Sequence, residues 1–288
     1  MGLREILLRA TFEKWAVPHF NFSNLETLKA IAEAAKEEDS PVMAGTSEGE
    51  RDFIGLREAV FMVRSFREEL NLPIFLNADH TKSVEAAKKA VDAGYDSIHI
   101  DLSKMPLDAN VNGTKELVRY ARAKDAIISI EGELGYLRGE SKFQKKRIVI
   151  EPNDLTDHVE AAKFVEITGV DRFAPAVGNI HGISLDEPAI DIGRIKQIRA
   201  DISQNVIMVL HAGSGIPDDD ICLAIKSGIA NIHISTELRM EFRKELEESL
   251  KKDADEAAPY KIMKPVVQGL KEKIKEKINL FGSAGKAL

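Results

Sequence analysis

PIFLNADHTKSVEAAKKAVDAGYDSIHID, residues 73–101, sets out the unit from which the chain is built. It opens on a short apolar run at 73–78 and closes on another at 97–100. Between them Val84, Ala87 and Val91 recur at helical spacing over 83–93 and make one apolar face. Gly94 stands where such a helix ends and hands over to the next strand. Strand, helix and strand at these lengths read as a βα unit of a parallel sheet.

The same alternation continues in both directions. Apolar, β-rich runs fall at 16–22, 41–46, 73–78, 97–100, 126–130, 172–177, 206–210 and 229–234, each followed by a helix-like stretch. At 24–35, Leu25, Leu28, Ile31 and Ala32 share one face, while Gly169 and Gly228 mark helix ends and Pro217 a helix start. Eight such units in 288 residues predict an α/β fold, a (β/α)8 TIM barrel formed by residues 1–288 as a single domain. Charged amphipathic helices at 237–252 and 261–277 are extra C-terminal elements. Residues 135–154 lack a clear period and are expected to form a functional or mobile loop.

Composition narrows the function. Hydrophobic residues make up 44% and charged residues 30%, as in a soluble globular enzyme. A net charge of −7 supplies no basic field to draw the chain onto nucleic acid or an anionic membrane, so neither is an expected partner and a phosphate ligand needs a local site. Cys222 is the only cysteine, which excludes an intrachain disulfide and a thiolate metal cluster. The opening MGLREILLRATFEKW interrupts its apolar residues with charges, unlike a signal peptide, and nothing later approaches membrane-span length; a cytoplasmic location is expected.

In a barrel of this kind all strands point one way, so residues at their C-terminal ends share one rim however far apart they lie in sequence. Read in order, those ends give Ser47 after the second strand, Asp79 and His80 after the third, Asp101 after the fourth, and Glu131 with Glu133 after the fifth. The sixth gives His181, the seventh His211, and the eighth His233, Ser235 and Thr236; His99 lies close by in sequence. A lone histidine is more often structural. Three neutral imidazoles, His80, His181 and His211, meeting at one point make a natural Zn²⁺ site with an open position for a substrate oxygen.

Other readings stand beside these. Asp79 is also placed to orient His80, and Glu131-Gly-Glu133 reads equally as two acids alternating on a strand, one into the barrel and one into the helix layer. Val209-Leu-His-Ala-Gly-Ser-Gly-Ile-Pro runs from strand through a Gly-rich turn to helix, and His233-Ile-Ser-Thr-Glu ends the eighth strand. The loops after strands seven and eight are the favoured phosphate position of this fold, with backbone N–H groups facing the anion. The lysine-rich run at 142–147 reads as a solvated loop.

Taken together these motifs resemble the class II, metal-dependent fructose-bisphosphate and tagatose-bisphosphate aldolases over nearly the whole chain. The resemblance is carried, in order, by Val17-Pro-His-Phe-Asn, Asn24-Leu-Glu, Ser47-Glu-Gly, Asn77-Ala-Asp-His, Ile100-Asp-Leu-Ser and Glu131-Gly-Glu-Leu-Gly. Gly178-Asn-Ile-His-Gly, Leu210-His-Ala-Gly-Ser-Gly, Ser235-Thr-Glu-Leu-Arg and Leu280-Phe-Gly-Ser-Ala-Gly-Lys complete it. It implies that His80, His181 and His211 hold Zn²⁺, with Glu133 and Asp101 available to a second divalent or monovalent cation. Asp79 would be the proton donor and Ser47 would touch the aldehyde half of a phosphorylated sugar. Gly182, Gly213, Ser214, Ser235 and Thr236 would surround the dihydroxyacetone phosphate half. A homodimer or homotetramer is implied as well.

The chemistry needs such groups, because retro-aldol cleavage leaves negative charge on the ketone half and a divalent ion stabilises that enediolate without a lysine Schiff base. The chain also departs from the family pattern. Glu140 stands one place before the mobile-loop acid that acts as second base, with Ser141 in that position. Asn231-Ile-His233 replaces a Lys-x-Asn, and Ala212 replaces a glycine, so Ala212 and His233 border the substrate as non-family residues. Two alternatives therefore stay open: a paralogue with a different phosphorylated substrate, and a non-catalytic barrel that binds metal and phosphate.

Overall fold

Runs of apolar and β-branched residues buried on both faces form the strands, and amphipathic stretches begun by Asn24, Ser83, Asp157 or Asp191 caps form the helices that cover them. The computed structural model describes residues 1–144, 148–183 and 189–287, leaving aside the side chains of residues 140 and 141. Its strands are β1 (Val17–Asn21), β2 (Val42–Thr46), β3 (Ile74–Thr81), β4 (Ser97–Ile100), β5 (Ser129–Leu134), β6 (Gly139–Phe143), β7 (Arg172–Pro175), β8 (His181–Ile183), β9 (Ile207–Leu210) and β10 (Ile229–Ile234). The helices are α1 (Leu3–Glu13), α2 (Leu25–Glu37), α3 (Glu48–Ile54), α4 (Leu56–Leu70), α5 (Val84–Ala93), α6 (Leu107–Lys124), α7 (His158–Thr168), α8 (Ile192–Asp201), α9 (Asp218–Lys226), α10 (Thr236–Lys252) and α11 (Pro259–Leu280).

Eight strands close a parallel barrel in the order β1, β2, β3, β4, β5, β7, β9 and β10, and β10 pairs back onto β1 with Val17 beside Asn231. This is the (β/α)8 architecture that the sequence repeat predicts, with α10 and α11 following the last strand. The barrel interior is layered. At the N-terminal end Val17, Met43, Phe75 and Ile207 pack with Leu3, Ile6, Leu7 and Ala10 of α1, which closes that end. The middle layer is polar, made of Asn77, Ser97, Glu131, Arg172 and Asn231, all buried. Above it, at the C-terminal ends of the strands, lie imidazoles and carboxylates.

Several expectations need correction. The fifth strand runs Ser129–Leu134 rather than 126–130, because Ile127 is exposed in a turn and the Glu-Gly-Glu segment, polar by composition, is the buried strand. Glu131 and Glu133 both face the barrel interior, as residues two apart on a strand must. The segment 135–154 contains β6, which pairs in parallel with β8, Gly139 opposite His181. His181 is thus carried by a separate short strand rather than by the end of the sixth barrel strand, β7. Glu140 lies within β6, and its side chain lies outside the described part of the structure, as do residues 145–147 of the lysine-rich run. Among the described residues no helix is long and apolar enough to cross a membrane.

Candidate functional site

Four imidazoles meet at the C-terminal mouth of the barrel. His80 is the penultimate residue of β3, with φ 42, at the point where the β3–β4 register shifts between Ala78 and Thr81. This local irregularity turns a residue that would follow the strand's alternation into the mouth. The ring of His80 lies 4.8 Å from that of His181, 4.8 Å from that of His211 and 4.7 Å from that of His99, centroid to centroid. Its Nδ1 donates to Asp101 Oδ2 at 2.8 Å and lies 4.0 Å from Glu133 Oε2. His211 bonds through Nε2 to Glu131 Oε1, and its ring lies 4.0 Å from that of His233. His233 in turn stacks on His19 at 3.6 Å with only 7° between the ring planes.

Asp79 sits at the junction of these groups. Asn21 Nδ2 donates to its Oδ2 at 3.0 Å, while its Oδ1 lies 3.3 Å from His233 Nδ1 and 3.5 Å from His99 Nδ1. Asn21 also donates to Glu50, which receives Ser47 N–H at 2.7 Å, Ser47 Oγ at 2.8 Å and Arg239 Nη2 at 2.7 Å. One polar network therefore joins Ser47, Asn21 and Asp79.

The electrostatics sort these groups into charged and neutral. Burial pushes His181, His211 and His233 down to about 3, so at neutral pH their rings are uncharged and keep a lone pair for a ligand. Burial works against the charge of Asp79, yet His80, His233 and His99 hold its carboxyl well below the usual range. For Glu133, burial and the neighbouring Asp101 charge push the carboxyl upward.

The opposite wall is made of small residues and a helix end. Ser214 Oγ accepts from Ser235 N–H at 3.3 Å and Glu237 N–H at 3.4 Å, and Gly213 N–H donates to His233 O at 2.9 Å. Gly215 N–H is bound by Glu237 at 2.9 Å, and Glu237 by Lys277 of α11 at 2.9 Å. Ser235 precedes the 17-residue helix α10, and its buried hydroxyl has no hydrogen-bond partner among the described residues. Helix N-termini favour anions through their free N–H groups and dipole.

One cavity is bordered by Asp79, His80, His181, Gly182, His211, Ala212, Ser214, His233, Ser235 and Thr236, with Ser47, Asn21 and Arg239 at its edge. Gly213 lies buried behind it, and Asp101 and Glu133 stand behind His80. Sequence reasoning passed over His19, Asn21, Arg172 and Arg239. Asn21 and Arg239 sit inside quoted motifs, and strand parity from Asp79 back to Asn77 marks the inward face. Arg172 gives no comparable signal, since a charged residue opening a strand reads as an edge.

The donor set suits a divalent metal. Asp79 Oδ1 faces His233 Nδ1 at 3.3 Å and His99 Nε2 faces Glu133 Oε2 at 3.2 Å, and none of these four buried atoms makes a well-aligned hydrogen bond among the described residues, an arrangement that a bound cation would complete. Donor atoms of Asp79, His80, His99 and His211 lie within 4.8 Å of one another, as do those of His80, Asp101 and Glu133. His181 joins neither group, though its ring faces that of His80. Imidazole with carboxylate is a common set for zinc and its neighbours.

Known proteins share this arrangement's sequence and fold. The chain matches the family model for class-II fructose-bisphosphate aldolase over residues 1–286. It is 38% identical to the fructose-bisphosphate aldolase of Geobacillus stearothermophilus, covering 100% of this chain and 98% of the relative. For the fructose-bisphosphate aldolase of Staphylococcus epidermidis the identity is 37%, with 100% and 99% covered. The crystal structure of the YdjI aldolase from Escherichia coli K12 superposes with a TM-score of 0.85 at 34% identity, over 99% of this chain and 98% of that one. With the whole length of the chain matched in this way, the chain belongs to the class II fructose-bisphosphate aldolase family.

Proposed function

We propose that this protein is a zinc-dependent aldolase that cleaves and forms a ketose 1,6-bisphosphate, fructose 1,6-bisphosphate foremost, with dihydroxyacetone phosphate and glyceraldehyde 3-phosphate as the halves. The observation that carries the reading is the meeting of Asp79, His80, His181 and His211 in one cavity whose far wall is Ser214, Ser235 and Thr236. His80, His181 and His211 are the residues that would hold Zn²⁺, and Asp101 with Glu133 would serve a second cation beside His80. A divalent ion there supplies positive charge to the enediolate that forms when the carbon–carbon bond breaks.

The chain's own groups do the rest. Asp79, ionised and oriented by Asn21, accepts the proton of the hydroxyl that becomes the aldehyde and returns it in the synthetic direction. Ser47 borders the aldehyde half. Gly182, Ala212, Gly213, Ser214, Ser235 and Thr236 close around the phosphate of the ketone half at the start of α10, and His233 lies between that wall and Asp79. Glu140 is the second base, its neighbour Gly139 being paired with His181. A homodimer or homotetramer and a cytoplasmic location belong to the same proposal and rest on family resemblance and charge.

Zinc analysis and a coupled assay with fructose 1,6-bisphosphate test the reading. The purified protein should contain zinc, lose cleavage to a chelator and regain it with Zn²⁺, and Asp79→Ala should cut kcat by about 10²–10⁴-fold. Metal-free protein with no aldol activity on any phosphoketose rejects it. A different ketose phosphate is the second reading, favoured by the bulky His233 stacked on His19 in the cavity wall. A substrate panel decides between them.

A further inference from the structure

A guanidinium lies at the centre of the barrel, fully buried, one layer below the cavity. Arg172 Nη1 donates to Asn231 Oδ1 at 3.0 Å and lies 2.8 Å from Glu131 Oε2. Its Nη2 donates to Asn77 Oδ1 at 3.0 Å and to Ser97 Oγ. One side chain from β7 thus reaches β3, β4, β5 and β10. A guanidinium carries donors only, so every group that touches it must present an acceptor.

That polarity propagates outward. Asn77 turns its oxygen to Arg172 and to the Ser97 hydroxyl, 2.7 Å away, which leaves its Nδ2 facing His19 Nε2 at 3.1 Å. That ring nitrogen must accept. Asn231 turns its oxygen to Arg172 while its Nδ2 donates to Val17 O at 2.8 Å, and the same oxygen lies 3.2 Å from His233 Nε2. For His233 that contact competes with Asp79, whose Oδ1 lies 3.3 Å from Nδ1, so the one hydrogen of the neutral ring serves one side or the other. Glu131 is held ionised against burial by Arg172 and takes the hydrogen of His211 Nε2 on its other oxygen.

We propose that Arg172 is a positioning residue that dictates, through Asn77 and Glu131, which ring nitrogen of His19 and His211 bears hydrogen. His19 carries it on Nδ1, whereas His211 carries it on Nε2. For His211 this leaves Nδ1 as the lone pair available to a cation, and second-layer partners of this kind govern ligand orientation and basicity. A residue that merely filled the barrel centre would need none of this directionality, since apolar side chains of similar volume fill such space as well or better. The inference stands whichever sugar phosphate is the substrate.

Long-range ¹H–¹⁵N spectra of chelator-treated protein labelled with ¹⁵N-histidine read the tautomers directly, with rings assigned by single His→Gln variants. Expected in the unmodified chain are hydrogen on His19 Nδ1 and on His211 Nε2. In Asn77→Asp, a same-sized change that replaces the donor with an oxygen beside Arg172, His19 should move its hydrogen to Nε2. In Arg172→Lys the ammonium stays beside Glu131, so His211 keeps its tautomer while His19 becomes a mixture. There kcat should fall about 10-fold with zinc content unchanged. Hydrogen on His19 Nε2 or on His211 Nδ1 in the unmodified chain overturns the proposal, and so does a His19 ring left unaltered by both variants.

Discussion

Ala212 shows how one methyl group records a conflict at the cavity edge. It sits at φ 54 between His211 and Gly213, in the left-handed region where a Cβ costs about 1–2 kcal/mol. Glycine removes that strain but loses about 0.5–1 kcal/mol to the freedom of the unfolded chain. Ala212→Gly is therefore expected to raise stability by up to about 1 kcal/mol, read as a higher urea midpoint at constant slope; a lower midpoint contradicts the strain. Gly45 presents the opposite case, since an added Cβ would lie 2.1 Å from the His19 ring. That ring is held by Asn77 on one side and stacked on His233 on the other, so it has nowhere to go. Gly45→Ala should cost roughly 1–3 kcal/mol, the usual penalty of overpacking, and an unchanged midpoint would show that His19 is free to move. Legibility at this scale followed chemistry. Asp79, His80 and His211 could be read because reactive side chains at strand ends are conspicuous, while His19 and Arg172 lie inside strands, where only the closed barrel shows which way they point.

Elements were legible wherever their apolar period was clean. The strands at 97–100 and 229–234 match β4 and β10 residue for residue, and α2 and α5 begin where Asn24 and Ser83 cap them. The fifth strand was displaced because its buried face is made of Glu131 and Glu133, and a search for apolar runs passes over acids whose partners come from other strands. The pair β6 and β8 escaped notice for another reason. Each is short, and a parallel pairing between segments some forty residues apart leaves no local period. Helix α11 belongs to the legible group, with Val266, Leu270, Ile274 and Ile278 buried at helical spacing against α2 and α10. It also reaches the cavity wall, because Lys277 holds Glu237, which holds Gly215 N–H. Ile274 is fully buried, so Ile274→Ala should cost about 2–5 kcal/mol through lost burial and the cavity left behind. A loss below about 1 kcal/mol in denaturant unfolding would mean that α11 docks only loosely.

At the scale of the whole molecule the barrel is three layers with different tasks: an apolar end closed by α1, a polar middle that fixes orientation, and a mouth crowded with imidazoles and carboxylates. The first could be foreseen as hydrophobic core, but the other two depend on closure, which brings together β3, β5, β7, β9 and β10 from across the sequence. Closure also makes metal binding a property of the folded state alone. The imidazoles His80, His181 and His211 come from residues some 130 positions apart, and in an unfolded chain they hold no ion in common. A ligand bound only by the native state stabilises it by RT ln(1 + [L]/Kd), about 4 kcal/mol when free zinc is a thousand times its Kd. Thermal scans at one heating rate should therefore show Tm falling by several degrees after chelation, returning with Zn²⁺ and rising further with each increment of free metal. Magnesium, which prefers oxygen ligands in octahedral array, should restore little of that shift. If chelated and zinc-loaded protein melt together, the rings that converge at the mouth do not share an ion, and the closely spaced imidazoles and carboxylates around Asp79 and His99 need another occupant.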